Sequence, residues 1–279
     1  MPLRRTRVLL GFMPHDEAER FLRGRSPDVP AGASEFKRLW QAASTRAARG
    51  PAPKADARPQ PLKAPRHVAR LAKQPRFREV VARHRWSLQT VAIDALLSVQ
   101  RRVDEGFASK SVGDIDPDDA AAVLEVALPL SSKARPVQTK VERRAVTLST
   151  DSPDLRVLQP FTSYDPASDR TTVGFTVGWG SPFVTVARVG SRLVLKNGYH
   201  RVYGLRAFGV ERVPAVVLEA RRMEEAGAGR PGFSSGELLS GPRPPTVASF
   251  FDDAVSVSVR VPTVTRFVRV HAEDGLADP

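Results

Sequence analysis

Residues 191–217 constrain the fold more than any other stretch, because they read as a strand, a turn, a helix and a second strand with almost nothing between them. Leu193, Val194 and Leu195 form an apolar run with strand character. Asn197 and Gly198 mark a turn. Residues 199–208 have the makings of a helix that Gly209 stops, and residues 215–218 form a strand entered through Pro214. This order puts Gly198, Tyr199, His200 and Arg201 at a helix entry. A helix start leaves unpaired backbone N–H groups and the positive end of a dipole, so an anion there meets donors as well as the Arg201 guanidinium. Asn197 is placed to cap the helix, Gly198 permits close approach of a phosphate, Arg201 supplies a bidentate fork, and His200 adds a donor or a proton. The competing reading is a capped surface turn whose His200 and Arg201 pair with Glu211 or Glu219.

The chain around this stretch changes character twice. Residues 7–12 suit a short strand, residues 14–22 a helix with proline and acids in its first turn, and residues 34–48 a second helix. Residues 47–65 are rich in proline, alanine and positive charge and read as a semi-stiff linker. From His67 to Phe107 apolar residues recur at helical spacing, with Ser87 a cap between two helices, and a third helix begins near Asp116 and ends before Pro129. Beyond Lys133 the pattern turns to β: residues 137–148 alternate, residues 171–177 and 183–187 are β-branched, and Gly190 sits at a hairpin turn. Residues 226–245 read as a loop, and residues 254–261 with 264–270 as a final hairpin or edge pair. The expected fold class is therefore α+β, with a basic helical N-terminal region. The expected divisions are a basic helical segment over 1–46, a linker over 47–66, a helical bundle over 67–130, an α+β domain over 133–220, a loop over 221–247, and strands and tail over 248–279.

Charge and composition narrow the partners. The net charge of +13 is unevenly placed: residues 1–110 hold 23 Lys and Arg against 10 Asp and Glu, whereas residues 111–279 hold 20 of each. A basic half joined to a neutral half suits contact with a polyanion, either nucleic acid or an acidic protein; a solvated basic surface with no dedicated partner leaves the same signature. Arg70, Lys73, Arg76, Arg78, Arg83 and Arg85 cluster around Phe77 and Trp86, a pattern suited to tracking a phosphate backbone without reading bases. The chain has no cysteine, which removes disulfides, thiolate metal sites and cysteine nucleophiles. No apolar run approaches the length of a membrane helix, so the chain is read as cytoplasmic with no membrane partner.

The order of strand, Lys196-Asn197-Gly198-Tyr199-His200-Arg201, helix, and then Gly209-Val210-Glu211-Arg212-Val213-Pro214 into a strand resembles the ParB/sulfiredoxin superfamily over about residues 171–220. The resemblance implies a ParB/sulfiredoxin-like mixed domain whose turn binds nucleotide phosphates through Gly198, His200 and Arg201. ATP or CTP is the implied ligand, bringing magnesium with it, and Arg201 and His200 are the implied catalytic groups of any phosphoryl transfer or nucleotide hydrolysis. In this fold the loop before the Phe183 strand lies near the phosphate turn, so Trp179 and Ser181 join the candidate site, with a core role for Trp179 as the alternative. The chain departs from the family in having Tyr199 where ParB-type proteins usually carry Glu, no cysteine where sulfiredoxins carry theirs, no upstream catalytic acid, and no helix-turn-helix after residue 220.

Other motifs fall to context. Residues 232–236 spell a nucleophile elbow around Ser234 but lie in a Gly/Pro-rich loop rather than between a strand and a helix. Asp114, Asp116, Asp118 and Glu125 have calcium-ligand spacing, but Asp119 replaces the turn glycine and Pro117 interrupts the loop. The five histidines are scattered, so no metal held by protein ligands alone is expected.

Overall fold

A computed structural model describes residues 3–50, 58–131, 136–150, 155–230, 232–263 and 265–273. The chain divides into two compact units, one of residues 1–130 with 183–263, the other of residues 131–182 with 264–279. The first unit opens with β1 (Leu3–Val8), α1 (His15–Leu22) and α2 (Ala33–Arg49), followed by β2 (Gln60–Pro61), α3 (Pro65–Leu71) and α4 (Pro75–Val81). Then come β3 (Trp86–Ala92), β4 (Leu97–Ser98), β5 (Arg102–Asp104), α5 (Glu105–Val112) and α6 (Ala120–Ala127). The second unit supplies β6 (Gln138–Glu142), β7 (Ala145–Thr150), β8 (Leu155–Asp165) and β9 (Arg170–Trp179). The chain returns to the first unit with β10 (Thr185–Val189), β11 (Arg192–Asn197), α7 (Tyr199–Ala207), β12 (Arg212–Ala220), α8 (Gly236–Ser240) and β13 (Val257–Pro262), and β14 (Arg266–His271) belongs to the second. The fold is α+β.

The main sheet of the first unit is mixed, in the order β2-β3-β12-β10-β11-β4. β10 and β11 form an antiparallel hairpin closed at Gly190, which adopts a left-handed φ of 59° that the tight turn needs. β10 then lies parallel to β12, a pairing that requires the crossover α7 provides. Val186, Val194, Leu195, Val213, Val216 and Val217 are fully buried, so these strands read as near-continuous apolar runs rather than as an alternation. A second, antiparallel sheet, β13-β1-β5, packs under α1 and α2 around Val8, Leu22, Phe36 and Val259.

Residues 67–130 are not a helical bundle. α3 and α4 are helical, but Trp86–Ala92 is a strand paired antiparallel with β12 along seven residues. The apolar positions 88, 91, 93, 96 and 97 mimic a helical period because they run across a strand, a short 3-10 turn and another strand. Ser87 pairs with Val217 within β3 and caps nothing. The α+β expectation over 133–220 is likewise redrawn, since residues up to 182 belong to one unit and those from 183 to the other. The final hairpin does not form: β13 pairs with β1 and β14 with β7. Of the linker over 47–66, residues 51–57 lie outside the described residues, while Gln60 and Pro61 add an edge to β3. The third helix starts later than expected, with Asp119 rather than Asp116 as its cap, accepting from the N–H groups of Ala121 and Ala122 at 2.9 and 3.0 Å.

The second unit is all β among its described residues: a sheet β14-β7-β6 and a ribbon of β8 and β9. β8 went unread in the sequence because Pro160 interrupts it and a bulge falls between Val157 and Gln159. Both strands of a two-stranded ribbon are edges, where proline is tolerated. Phe161 lies over Gly174 on the ribbon, within 2.8 Å of where a Cβ would stand.

α5 and α7 approach closely because Gly204 lacks a side chain. A Cβ there would stand 2.6 Å from Val112 Cγ2 and 2.9 Å from the backbone oxygen of Ala108. Gly204→Ala is expected to force the helices apart and cost about 1–3 kcal/mol despite alanine's better helix propensity. Denaturant titration of the variant checks this, and an unchanged or raised midpoint would refute it.

Candidate functional site

The turn between β11 and α7 is assembled from three backbone segments of the first unit. Gly198 is the N-cap of α7 with φ 95° and ψ 21°, a left-handed conformation that side chains rarely adopt. A Cβ at this point would stand 3.0 Å from Val184 Cγ2 and 3.4 Å from a guanidinium nitrogen of Arg201. Only glycine fits this turn, on grounds of both φ and space.

Asn197 does not cap the helix. Its Nδ2 donates instead to the backbone oxygen of Phe183 at 2.8 Å, tying the end of β11 to the entry of β10, and the N-cap carries no side-chain hydrogen bond to the helix. The first turn of α7 contains no acidic residue, while His200 and Arg201 both lie in it. Basic groups at the positive end of a helix dipole are disfavoured, and an anion beside them reverses the sign. Arg201 Nη1 donates to the oxygen of Val126 in the last turn of α6 at 3.3 Å, which sets the guanidinium between the end of one helix and the start of another. His200 is half-buried and held edge-on by the ring of Phe107 on α5, with centroids 4.8 Å apart.

Tyr199 turns into the core instead of toward a ligand. Its hydroxyl donates to the oxygen of Leu195 and accepts from the N–H of Val99 at 3.2 Å, and burial pushes its phenol well above the ordinary range. Tyr199 therefore anchors α7 to the strand before it. Trp179 ends β9 and Ser181 follows it, both in the second unit. Glu219 pairs with Arg188 at 3.3 Å.

Sequence reasoning missed two groups near this turn. Phe107 orients His200 from a helix that was not aligned with it in the sequence. Lys196, one residue before Asn197, is half-buried, and its ammonium is held below its usual pKa by burial and then by the charge of Arg230, with Glu225 opposing. Strand parity was the available signal, since a lysine inside an apolar strand must find a half-covered face.

The six cations proposed for nucleic acid are all exposed. Arg70 lies on α3, Lys73 just after it, Arg76 and Arg78 on α4, and Arg83 and Arg85 in the loop leading to β3. Trp86 beside them is 41% exposed while packing edge-on against Phe77 at 5.1 Å. Ser234 is fully buried, donates to the oxygen of Ser98 and gives its N–H to Val99, an arrangement of a structural serine rather than a nucleophile. Among the described residues no group of three or more His, Asp or Glu is arranged to hold a metal, and no helix is long and apolar enough to cross a membrane.

A scan against protein-family models found no match, and comparisons with curated proteins and with solved structures found none either.

Proposed function

We propose that this chain binds the phosphate of a nucleotide or other phosphorylated ligand at the entry of α7, in the manner of a ParB/sulfiredoxin-like domain. The observation that carries the reading is the left-handed Gly198 cap followed by His200 and Arg201 in a first turn that holds no acid. The Arg201 fork and the backbone N–H groups of the turn are the phosphate donors. Tyr199 contributes through its backbone, since its side chain serves the core. ATP or CTP with magnesium is the ligand class to test first. In any turnover the reaction is phosphoryl transfer or nucleotide hydrolysis, with Arg201 stabilising the charge that develops and His200 acting as hydrogen-bond donor or acid/base.

A second reading rests on a different surface. The exposed Arg70, Lys73, Arg76, Arg78, Arg83 and Arg85 with the exposed Trp86 suit a single-stranded or duplex phosphate backbone bound without sequence preference. An acidic protein partner would engage the same residues.

Thermal stability measured with ATP, CTP, GTP and ADP, with and without magnesium, separates the readings. A ligand at roughly 100 times its dissociation constant should stabilise the protein by about 2.7 kcal/mol. The shift should vanish in Arg201→Ala, while polyanion binding stays nearly intact. Charge reversal at Arg76, Arg78 and Arg83 should do the opposite. No nucleotide shift in the wild type would refute the first reading. Oligonucleotide binding unchanged by the reversals would refute the second.

A further inference from the structure

The N-terminal layer holds a second concentration of positive charge, on elements other than α7. The register of β1 against β5 pairs Val8 with Arg102 and Thr6 with Asp104, which puts Arg4, Thr6 and Arg102 on one face of the strand pair. α1 brings Phe21 to that face, with its ring centroid 4.2 Å from the Arg102 guanidinium carbon. Two of the local cations are accounted for. Arg101, 5% exposed, donates from Nη2 to both oxygens of Glu17 at 2.9 and 2.7 Å, and Arg4 reaches Asp104 at 3.4 Å.

Arg102 has no such partner. It is half-buried, with no hydrogen bond and no carboxylate at ion-pair distance among the described residues. Burial is the main cause that draws its pKa below the usual arginine value; the charge of Glu17 opposes it, and those of Arg101, Arg4 and Arg25 add to it. The same neighbourhood leaves three buried polar atoms without partners: Arg4 Nε, Thr6 Oγ1 and Arg101 Nε. Buried donors are nearly always satisfied, so a group of orphans beside a guanidinium with no carboxylate at ion-pair distance calls for a missing acceptor. Gly232, in a left-handed conformation, lets the Arg102 guanidinium lie close to the backbone: a Cβ there would stand 3.1 Å from Arg102 Nη2.

We propose that the face formed by β1, β5 and the end of α1 binds a multiply charged oxyanion of the phosphate class. Arg102 is its principal fork, Arg4 and Arg25 lie at its rim, Thr6 supplies a hydroxyl, and Arg101 is fixed by Glu17 as a wall. A carboxylate would neutralise only one of these charges, whereas phosphate or pyrophosphate accepts from several forks at once. None of Gly198, His200 and Arg201 takes part, so this site stands or falls apart from the one at α7.

The test is titration of the full chain with inorganic pyrophosphate at fixed ionic strength, followed by calorimetry and by thermal unfolding. Saturable binding is expected in the wild type and in Arg201→Ala. Arg102→Gln and Arg25→Ala should each weaken it about tenfold or more, the loss expected for one charge-assisted contact. Arg25 is exposed, so its variant carries the test even where Arg102→Gln fails to fold. Absence of saturable binding, or affinity within about threefold of wild type in Arg25→Ala and in any folded Arg102→Gln, overturns the proposal. So does loss confined to Arg201→Ala, which would place the anion at α7. Displacement of pyrophosphate by a short oligonucleotide, lost in the same variants, would assign these arginines to a polynucleotide and equally overturn a small-anion site.

Discussion

Glu17→Ala is expected to destabilise the protein by about 3 kcal/mol, toward the lower end of the range for breaking a buried ion pair. Arg101 is the reason. Its side chain is 6% exposed, so truncating Glu17 strands a charged guanidinium whose Nε already lacks a partner. Glu17 itself is 25% exposed, which softens its own desolvation and keeps the effect from the top of the range. Glu17→Gln retains one acceptor and should cost less than alanine does. Denaturant midpoints for the two variants, with slopes unchanged, provide the measurement. A loss below about 1 kcal/mol in the alanine variant would mean that Arg101 finds water or another acceptor, and the enclosure of that wall would be wrong.

Phe183→Ala should cost about 3–5 kcal/mol. Its ring is fully buried and packs edge-on against Phe77 at 5.6 Å, and Phe77 in turn packs against Trp86 at 5.1 Å, so three rings join α4, β3 and the entry of β10. Removing the fully buried ring at the β10 end of this arrangement leaves a cavity beside Phe77 that the surrounding strands cannot close. The bond from Asn197 goes to the Phe183 backbone, so the turn before α7 keeps its tie and phosphate binding in the folded fraction should survive. Unfolding by denaturant checks the first expectation and calorimetry with the best nucleotide checks the second. A stability change under about 1 kcal/mol would show that the rings repack, and a loss of binding in folded protein would tie the turn to the ring rather than to the backbone.

The elements around α7 were legible in the sequence because their signals are local. Asn197 and Gly198 break the strand, the residues from Tyr199 carry a helix, and Gly209 stops it with a left-handed φ of 92°. β3 was not legible, because Trp86–Ala92 owes its conformation to seven cross-strand partners on β12 more than a hundred residues away. β8 escaped for a related reason, since its pairing with β9 carries Pro160 that local rules count against a strand. At the turn itself, residue types pointed to Gly198, His200 and Arg201 together. They did not reveal that Tyr199 faces inward, that Asn197 bonds to Phe183, or that Phe107 orients His200.

Local patterns of residues set the places where the backbone must turn, the helices that carry their own caps and stops, and a net charge concentrated in the first 110 residues. These depend on neighbours within a few positions. Tertiary structure decided which strands share a sheet, how residues 1–130 and 183–263 come to form one unit, and which arginines keep a counter-ion. Those outcomes depend on contacts between distant residues, and a carboxylate such as Glu17 reaches Arg101 only after β1, α1 and β5 have been brought together.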